Sequence, residues 1–250
     1  MPCRAFEEIL TVKPGTAIVK RALDIGVSLM GLVLLAPMMA ITALLIKLDS
    51  PGPVFYPSQR MGRNGKPFTM YKFRSMYVNS PALHHPDGSM RVDNNDHRVT
   101  RVGRILRLGF DELPQLFNVL KGDMSLIGPR PDPVEALPYY REEDHRRLLV
   151  RPGITGLAQI AGRTDIPWQE RLKYDIEYME HQSLWLDCKI AFYTILEFIP
   201  PLRRRRFQKE IYPPEANTIA QFNCNSSVET SHWLNPFGMP QPQGEDDDHH

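Results

Sequence analysis

Cysteine is scarce in this chain: three residues among 250, at Cys3, Cys188 and Cys224, far apart and odd in number. That excludes a disulfide framework and a cysteine metal knuckle, and it suits a protein facing a reducing compartment. No excess charge of either sign is present, with 30 basic and 29 acidic residues, so nothing global points to nucleic acid. The eight histidines lack zinc spacing; His84-His85 falls in a polar stretch and His249-His250 at the end, and both pairs read as surface residues. Glycine-rich phosphate loops of the P-loop or dinucleotide type are missing, and no internal repeat is visible.

What the chain does have is one long apolar run. From Ile25 to Ile46 no side chain is charged, and Pro37 sits near the middle. The run just suffices for a bilayer core, which takes about 20 apolar residues as a helix. It is too long and starts too late for a secretory signal, and it lacks a small-x-small exit, so it is expected to persist as an anchor. Lys20 and Arg21 precede it and Lys47 follows, so the charge bias that orients a spanning helix is missing. Proline removes a backbone hydrogen bond and clashes with the preceding turn. Two forms fit these residues: a helix–break–helix hairpin re-entering one leaflet, or a spanning helix that tolerates its proline.

The expected organisation is a lead-in over 1–16, a membrane anchor over 17–50, a catalytic domain over 51–200 and a basic, then disordered, tail over 201–250. Asp49-Ser50-Pro51-Gly52-Pro53 marks the exit from the anchor. Strand-like runs at 54–56 and 68–71 flank Asn64-Gly65, a hairpin signal. Residues 80–97 read as a mobile polar loop. Helices are predicted over 112–121, 133–149, 167–180 and 184–199. The last is apolar, but Asp187, Lys189 and Glu197 argue against a second span. It reads as a helix lying in the membrane interface, with Arg203–Arg206 near anionic headgroups, the alternative being a core helix. The tail lacks the apolar content to fold alone.

Asp111-Glu112 opens the predicted helix over 112–121. The bland account is an N-cap and a first-turn carboxylate favoured by the helix dipole. The basic company suggests more. Gly128-Pro129-Arg130-Pro131 and Arg151-Pro152-Gly153 each hold an arginine among rigid turn residues, a fork suited to phosphate oxygens. Gln59-Arg60 and the Lys72-Phe73-Arg74 segment add cationic loops. Acids beside fixed arginines suggest an anionic substrate handled with a divalent metal, one acid binding the metal and the other attacking phosphorus.

Three strings carry a resemblance: KRALDIGVSLMGLVLLAPMMAITALLIKLDSPGPVFYPSQRMGRNGKPFTMYKFRSM (Lys20 to Met76), DELPQLFNVLKGDMSLIGPRP (Asp111 to Pro131) and RPGITGLAQIAGR (Arg151 to Arg163). Together they resemble the bacterial sugar transferase family, the monotopic polyprenyl-phosphate phosphoglycosyl transferases. The resemblance implies transfer of a sugar phosphate from a UDP-sugar to undecaprenyl phosphate, with release of UMP, as the first membrane step of exopolysaccharide, capsule or O-antigen assembly. It implies Asp111 as a nucleophile forming a phosphosugar–enzyme intermediate and Glu112 as a ligand of Mg²⁺. It also implies Arg130, Arg151, Lys72 and Arg74 near the phosphates, and a re-entrant break at Pro37. The fold implied is α+β and mainly helical: a re-entrant hairpin, a compact cytosolic domain with a small β-hairpin, and interfacial amphipathic helices, on the cytoplasmic face of the bacterial inner membrane.

Two departures stand out. Ala36-Pro37 replaces the family's usual Ser-Pro, and the segment from Arg107 to Asp111 is one residue shorter, with Gly109 where Ser is common; glycine there suits an unusual φ. The rival readings are a non-catalytic scaffold of polysaccharide assembly and a tethered glycoside hydrolase. The second is disfavoured, because paired glycosidase acids flank a bond at about 5 to 9.5 Å, which adjacent residues at a helix start do not do.

Overall fold

The computed structural model describes residues 14–81, 83, 96–162 and 166–197. Most of the lead-in, most of the 80–97 loop, residues 198–199 and the 201–250 tail therefore lie outside the described residues. The rest is mostly helical, with one long apolar helix and two small sheets.

Helix α1 covers Pro14–Asp49. Proline fits a first helical position, where no N–H is needed. The helical assignment runs uninterrupted across Pro37, so the break expected there is not a gap in the helix. Its polarity is the reverse of a soluble amphipathic helix. The buried stripe carries Asp24, Ser28, Thr42 and Ile46, while Ile18, Leu23, Val33, Leu34, Ile41, Leu44 and Leu48 point outward.

The inward polar groups are tied to the domain. Asp24 Oδ1 accepts from Ser125 Oγ at 3.1 Å and from the Leu126 N–H at 3.0 Å. Lys20 Nζ donates to the Ile127 carbonyl at 3.0 Å and pairs with Asp187 at 2.6 Å. Far along the helix, Ile46 packs with Phe73 and Leu106, and Asp49 Oδ2 accepts from the Val102 N–H at 3.0 Å. Both ends of α1 thus grip one domain.

Strands β1 (Phe55–Met61) and β2 (Pro67–Phe73) pair antiparallel, with Tyr56 opposite Lys72. The Arg63–Gly65 turn places Asn64 at φ 57° and Gly65 at φ 70°, the left-handed region that Asn-Gly supplies. Helix α2 (Arg101–Leu106), not expected from the sequence, is capped by Thr100, whose Oγ1 accepts from the Gly103 N–H at 2.9 Å. Helix α3 (Gln115–Lys121) ends at Gly122, φ 98°. Buried Asn118 stitches α3 to β2: its Nδ2 donates to the Thr69 carbonyl at 2.7 Å and its Oδ1 accepts from the Tyr71 N–H at 3.0 Å.

Strands β3 (Ser125–Ile127) and β4 (Gly153–Thr155) form a short parallel pair. The helix expected over 133–149 is instead two 3₁₀ runs, Val134–Tyr139 and Glu142–Leu149. Pro138 and an extended Tyr140 prevent one continuous α-helix there. Helices α4 (Leu157–Ala161), α5 (Trp168–Glu180) and α6 (Leu184–Glu197) complete the described residues, the last two close to expectation.

Candidate active site

Asp111 and Glu112 lie in a 3₁₀ turn, Phe110–Glu112, and α3 begins only after Pro114. Neither acid is a side-chain cap, so the bland reading of Asp111 as an N-cap does not hold. The turn is entered through Gly109 at φ 120°, a backbone that a side chain would strain, so the shortened segment has used glycine where it needs one. Asn118, pinned to β2, keeps this turn against the hairpin that carries Lys72.

Arg130 forks onto Glu112, with Nη1 at 3.1 Å from Oε2 and Nη2 on Oε1. Burial and then the neighbouring Glu112 push the Asp111 carboxyl up to about 6, with Lys72 and Arg130 pulling the other way. Burial, followed by Arg60, pushes the Lys72 ammonium down to about 8, against the pull of Asp111. Lys72 also lies over the Tyr56 ring, 5.5 Å from its centroid. Asp111, Glu112, Lys72 and Arg130 therefore act on one another as a single cluster, with Arg60 beside them. Arg107 stays within electrostatic reach of Asp111 despite the shorter segment.

Two of the arginines singled out from the sequence are turned elsewhere. Arg74 is buried and donates to the Ser50 carbonyl at 2.7 Å and to the Pro51 carbonyl, closing the C-terminal end of α1. Arg151 Nε donates to the Gly122 carbonyl at 3.1 Å, at the end of α3 remote from the dyad. Arg21 caps the same helix end through the Val119 and Leu120 carbonyls, at 2.7 and 3.0 Å.

Sequence reasoning missed Arg147. It is buried and donates to Asp132 at 2.8 Å, to Asp175 at 2.6 Å and to the Arg130 carbonyl at 2.6 Å. Asp132 also accepts from Tyr140 Oη at 2.8 Å and Trp168 Nε1 at 3.2 Å. The turn presenting Arg130 is thereby held from behind. Asp132, directly after Gly128-Pro129-Arg130-Pro131, was the available signal.

The sequence model of a family described as bacterial sugar transferase matches residues 15–200, which include the anchor helix and the whole cluster. The chain belongs to the bacterial sugar transferase family. Among related sugar transferases, it is 46% identical over 188 residues to an undecaprenyl-phosphate glucose phosphotransferase of Komagataeibacter xylinus, covering 70% of this chain and 35% of that protein. It is 43% identical over 198 residues to a UDP-N-acetylgalactosamine-undecaprenyl-phosphate N-acetylgalactosaminephosphotransferase of Aeromonas hydrophila, covering 74% and 45%. A UDP-glucose:undecaprenyl-phosphate glucose-1-phosphate transferase of Caulobacter vibrioides is 41% identical over 204 residues, covering 75% of each chain. The chain thus spans under half the length of the first two of these sugar transferases.

Proposed function

We propose that this chain is a membrane-anchored phosphoglycosyl transferase that moves a sugar-1-phosphate from a UDP-sugar to undecaprenyl phosphate, releases UMP and starts assembly of a surface polysaccharide. The observation that carries the reading is the half-buried Asp111, its pKa raised to about 6, beside a Glu112–Arg130 pair and Lys72. The names of the relatives supply the substrate classes.

The Asp111 carboxylate attacks the phosphorus that bears the sugar. The bond from that phosphorus to the oxygen shared with UMP breaks, and UMP departs. An oxygen of undecaprenyl phosphate then attacks the same phosphorus and the bond to Asp111 breaks, restoring the carboxylate. Two steps let one site serve a soluble donor and then a lipid acceptor, giving ping-pong kinetics. Arg130 and Lys72 draw charge off the non-bridging oxygens.

Among the described residues no group of three or more His, Cys, Asp and Glu gathers as a metal cage. The donor set still fits Mg²⁺, which commonly binds through one or two carboxylates and substrate phosphates. Glu112 would hold it once Arg130 turns from this carboxylate onto the substrate phosphates, and when bound it supplies neutralising charge to the diphosphate.

The anchor is read as re-entrant, bent at Pro37, with the domain on the cytoplasmic face of the inner membrane. A straight helix of this length would extend about 54 Å, yet residues near both ends hold one domain. Pro37 leaves the Val33 carbonyl without its helical donor, which favours a bend there. Trp185, Phe192 and Ile195, exposed along one side of α6, favour an interfacial position for that helix.

The deciding experiment measures UMP release from a panel of UDP-sugars with undecaprenyl phosphate and Mg²⁺, alongside the intact mass of enzyme given donor alone. A phosphosugar adduct on the peptide containing Asp111, lost in Asp111→Asn, is expected. Full activity in Asp111→Asn refutes the mechanism.

A further inference from the structure

We propose that the outer face of α2 and the turn after it, formed by Arg101, Arg104, Ile105 and Leu108, is a second membrane contact that takes anionic phospholipid headgroups and sets the height of the Asp111–Glu112 turn at the bilayer surface. The inference rests on the membrane-anchored reading above and adds a specific lipid partner to it.

The spacing puts these four residues on one side of about two turns. Ile105 and Leu108 are 62% and 64% exposed, and Arg101 and Arg104 are exposed beside them. The opposite side is held so that the face cannot rotate away. Leu106 is buried with Ile46 and Phe73, the Val102 N–H donates to Asp49, and Gly103 lies so close to the Ser75 backbone that a Cβ would collide with its carbonyl. The direction of the stripe is therefore built into the fold.

Three observations identify the occupant. The first is continuity: α2 packs on the C-terminal half of α1, whose Ile41, Leu44 and Leu48 are exposed apolar residues of the anchor. A layer that accommodates those side chains meets Ile105 and Leu108 next. The second is charge. Among the described residues no carboxylate forms an ion pair with Arg101 or Arg104; nearby Asp96 is engaged with Arg98, and Asp49 accepts from Val102. Lys47 in the last turn of α1 adds an exposed cation to the helix that α2 packs on, its Nζ on the Gly52 carbonyl. The third is the mixture itself: basic and large apolar residues alternating on one exposed face are the composition of interfacial segments that bind anionic lipid. Isolated basic residues would suit any anion, but an inorganic ion makes no use of Ile105 and Leu108.

The consequence for the site follows from chain connectivity. Only Gly109 and Phe110 separate Leu108 from Asp111, and Phe110 is itself exposed. Docking of the stripe therefore fixes where the dyad sits relative to emerging lipid phosphates.

The test uses the full chain with Cys3, Cys188 and Cys224 changed to Ser, carrying a polarity-sensitive fluorophore through Leu108→Cys or, in a parallel sample, Leu44→Cys. Vesicles of phosphatidylcholine, alone or with about 30 mol % phosphatidylglycerol, contain a shallow spin-labelled quencher. The label at 44 is expected to be quenched in both, and the label at 108 to be quenched more when phosphatidylglycerol is present. R101Q/R104Q should return the 108 signal to its level in neutral vesicles, and raised salt should do the same. Quenching at 44 with a 108 signal indifferent to phosphatidylglycerol overturns the headgroup contact while leaving the anchor intact. Loss of the gain on adding inorganic phosphate at constant ionic strength assigns the arginines to free phosphate and also overturns it. Absence of quenching at 44 removes the anchor reading and this inference together.

Discussion

Arg130 forks onto Glu112 and not onto Asp111, so two adjacent carboxylates have different electrostatic lives. The paired acid stays where a guanidinium holds it. Its neighbour is pushed by burial, and then by Glu112, into the range where it titrates near neutrality. Neighbouring acids placed in different surroundings are the usual mark of divided labour. A carboxylate kept only partly solvated and close to neutral pH is also a better nucleophile than one stabilised by a direct ion pair.

The pH dependence follows from two groups. Under the proposed mechanism Asp111 attacks as the carboxylate, so kcat/KM should rise as pH passes about 6. Lys72 contributes only while protonated, so kcat/KM should fall as pH passes about 8. Lys72→Arg should keep the acid limb and remove the alkaline one, because arginine stays charged. Initial rates at subsaturating donor across this range are the check. An alkaline limb unchanged in Lys72→Arg would assign it to another group.

Arg130 and Arg74 should behave oppositely when truncated. Arg130 is an exposed partner of a surface pair, and such pairs contribute about 0–1 kcal/mol to stability. Arg130→Ala should therefore leave the melting temperature nearly unchanged and cost at least about a hundredfold in kcat, the scale of one lost donor at developing charge. Arg74 closes the end of α1 through buried carbonyls, and unsatisfied buried groups cost about 1–3 kcal/mol each. Arg74→Ala should lower the melting temperature and open the 50–53 segment to proteolysis. A stable but inactive Arg74→Ala would return that residue to the substrate.

These two arginines also show what was legible in the sequence. Arg130 sat among turn residues and Arg74 in a cationic segment, and both wanted oxygen. Whether the oxygen belongs to a phosphate or to the carbonyls ending a helix is decided by residues distant in sequence, such as Ser50 for Arg74 and Gly122 for Arg151. The hairpin was legible because Asn64-Gly65 demands a left-handed backbone locally, and α5 because its apolar positions recur at helical spacing. The β3–β4 pair was not: three-residue strands carry no periodicity, and their partners are 28 residues apart in sequence. The dyad was readable as chemistry, but its 3₁₀ turn depends on how Gly109 and Pro114 combine.

Arg147→Met should be among the most damaging substitutions away from the dyad. It would leave buried Asp175 and half-buried Asp132 without their cation, a change worth about 3–5 kcal/mol. Denaturant unfolding should show that loss. Because Arg147 also holds the Arg130 carbonyl, the remaining folded fraction should show a raised KM for donor. An Arg147→Met protein of unchanged stability would mean that the two aspartates are protonated or hydrated in place.

Gly109→Ala tests the turn itself. Backbone held in a region that L-residues avoid costs about 1–3 kcal/mol, and φ at Gly109 is 120°. The neighbouring residues are exposed and free to yield, so global stability should fall modestly. Activity should fall much further, since Asp111 lies two residues on and an attacking oxygen displaced by about 1 Å can lose about a hundredfold. Equal losses in stability and activity would show that the turn relaxes without moving the carboxylate.

The anchor yields the sharpest topological outcome. Its polar stripe faces the domain, its apolar residues face outward, and Asp24 and Asp49, 25 residues apart, both bond to that domain. A helix crossing the bilayer would have to release one of these ends to the opposite side, leaving Asp24 or Asp49 without its partners. Single cysteines at Ala17 and Pro53, which are exposed, should therefore react with a membrane-impermeant maleimide from the same side in inverted vesicles and neither in right-side-out ones. Pro37→Leu restores the missing donor to Val33 and removes the clash that favours bending. A straighter helix presses its two ends apart, so this variant should loosen one end: labelling at Ala17 or Pro53 should become two-sided, and melting temperature in detergent should drop. Opposite-sided labelling in the parent protein would establish a spanning helix and end the re-entrant reading.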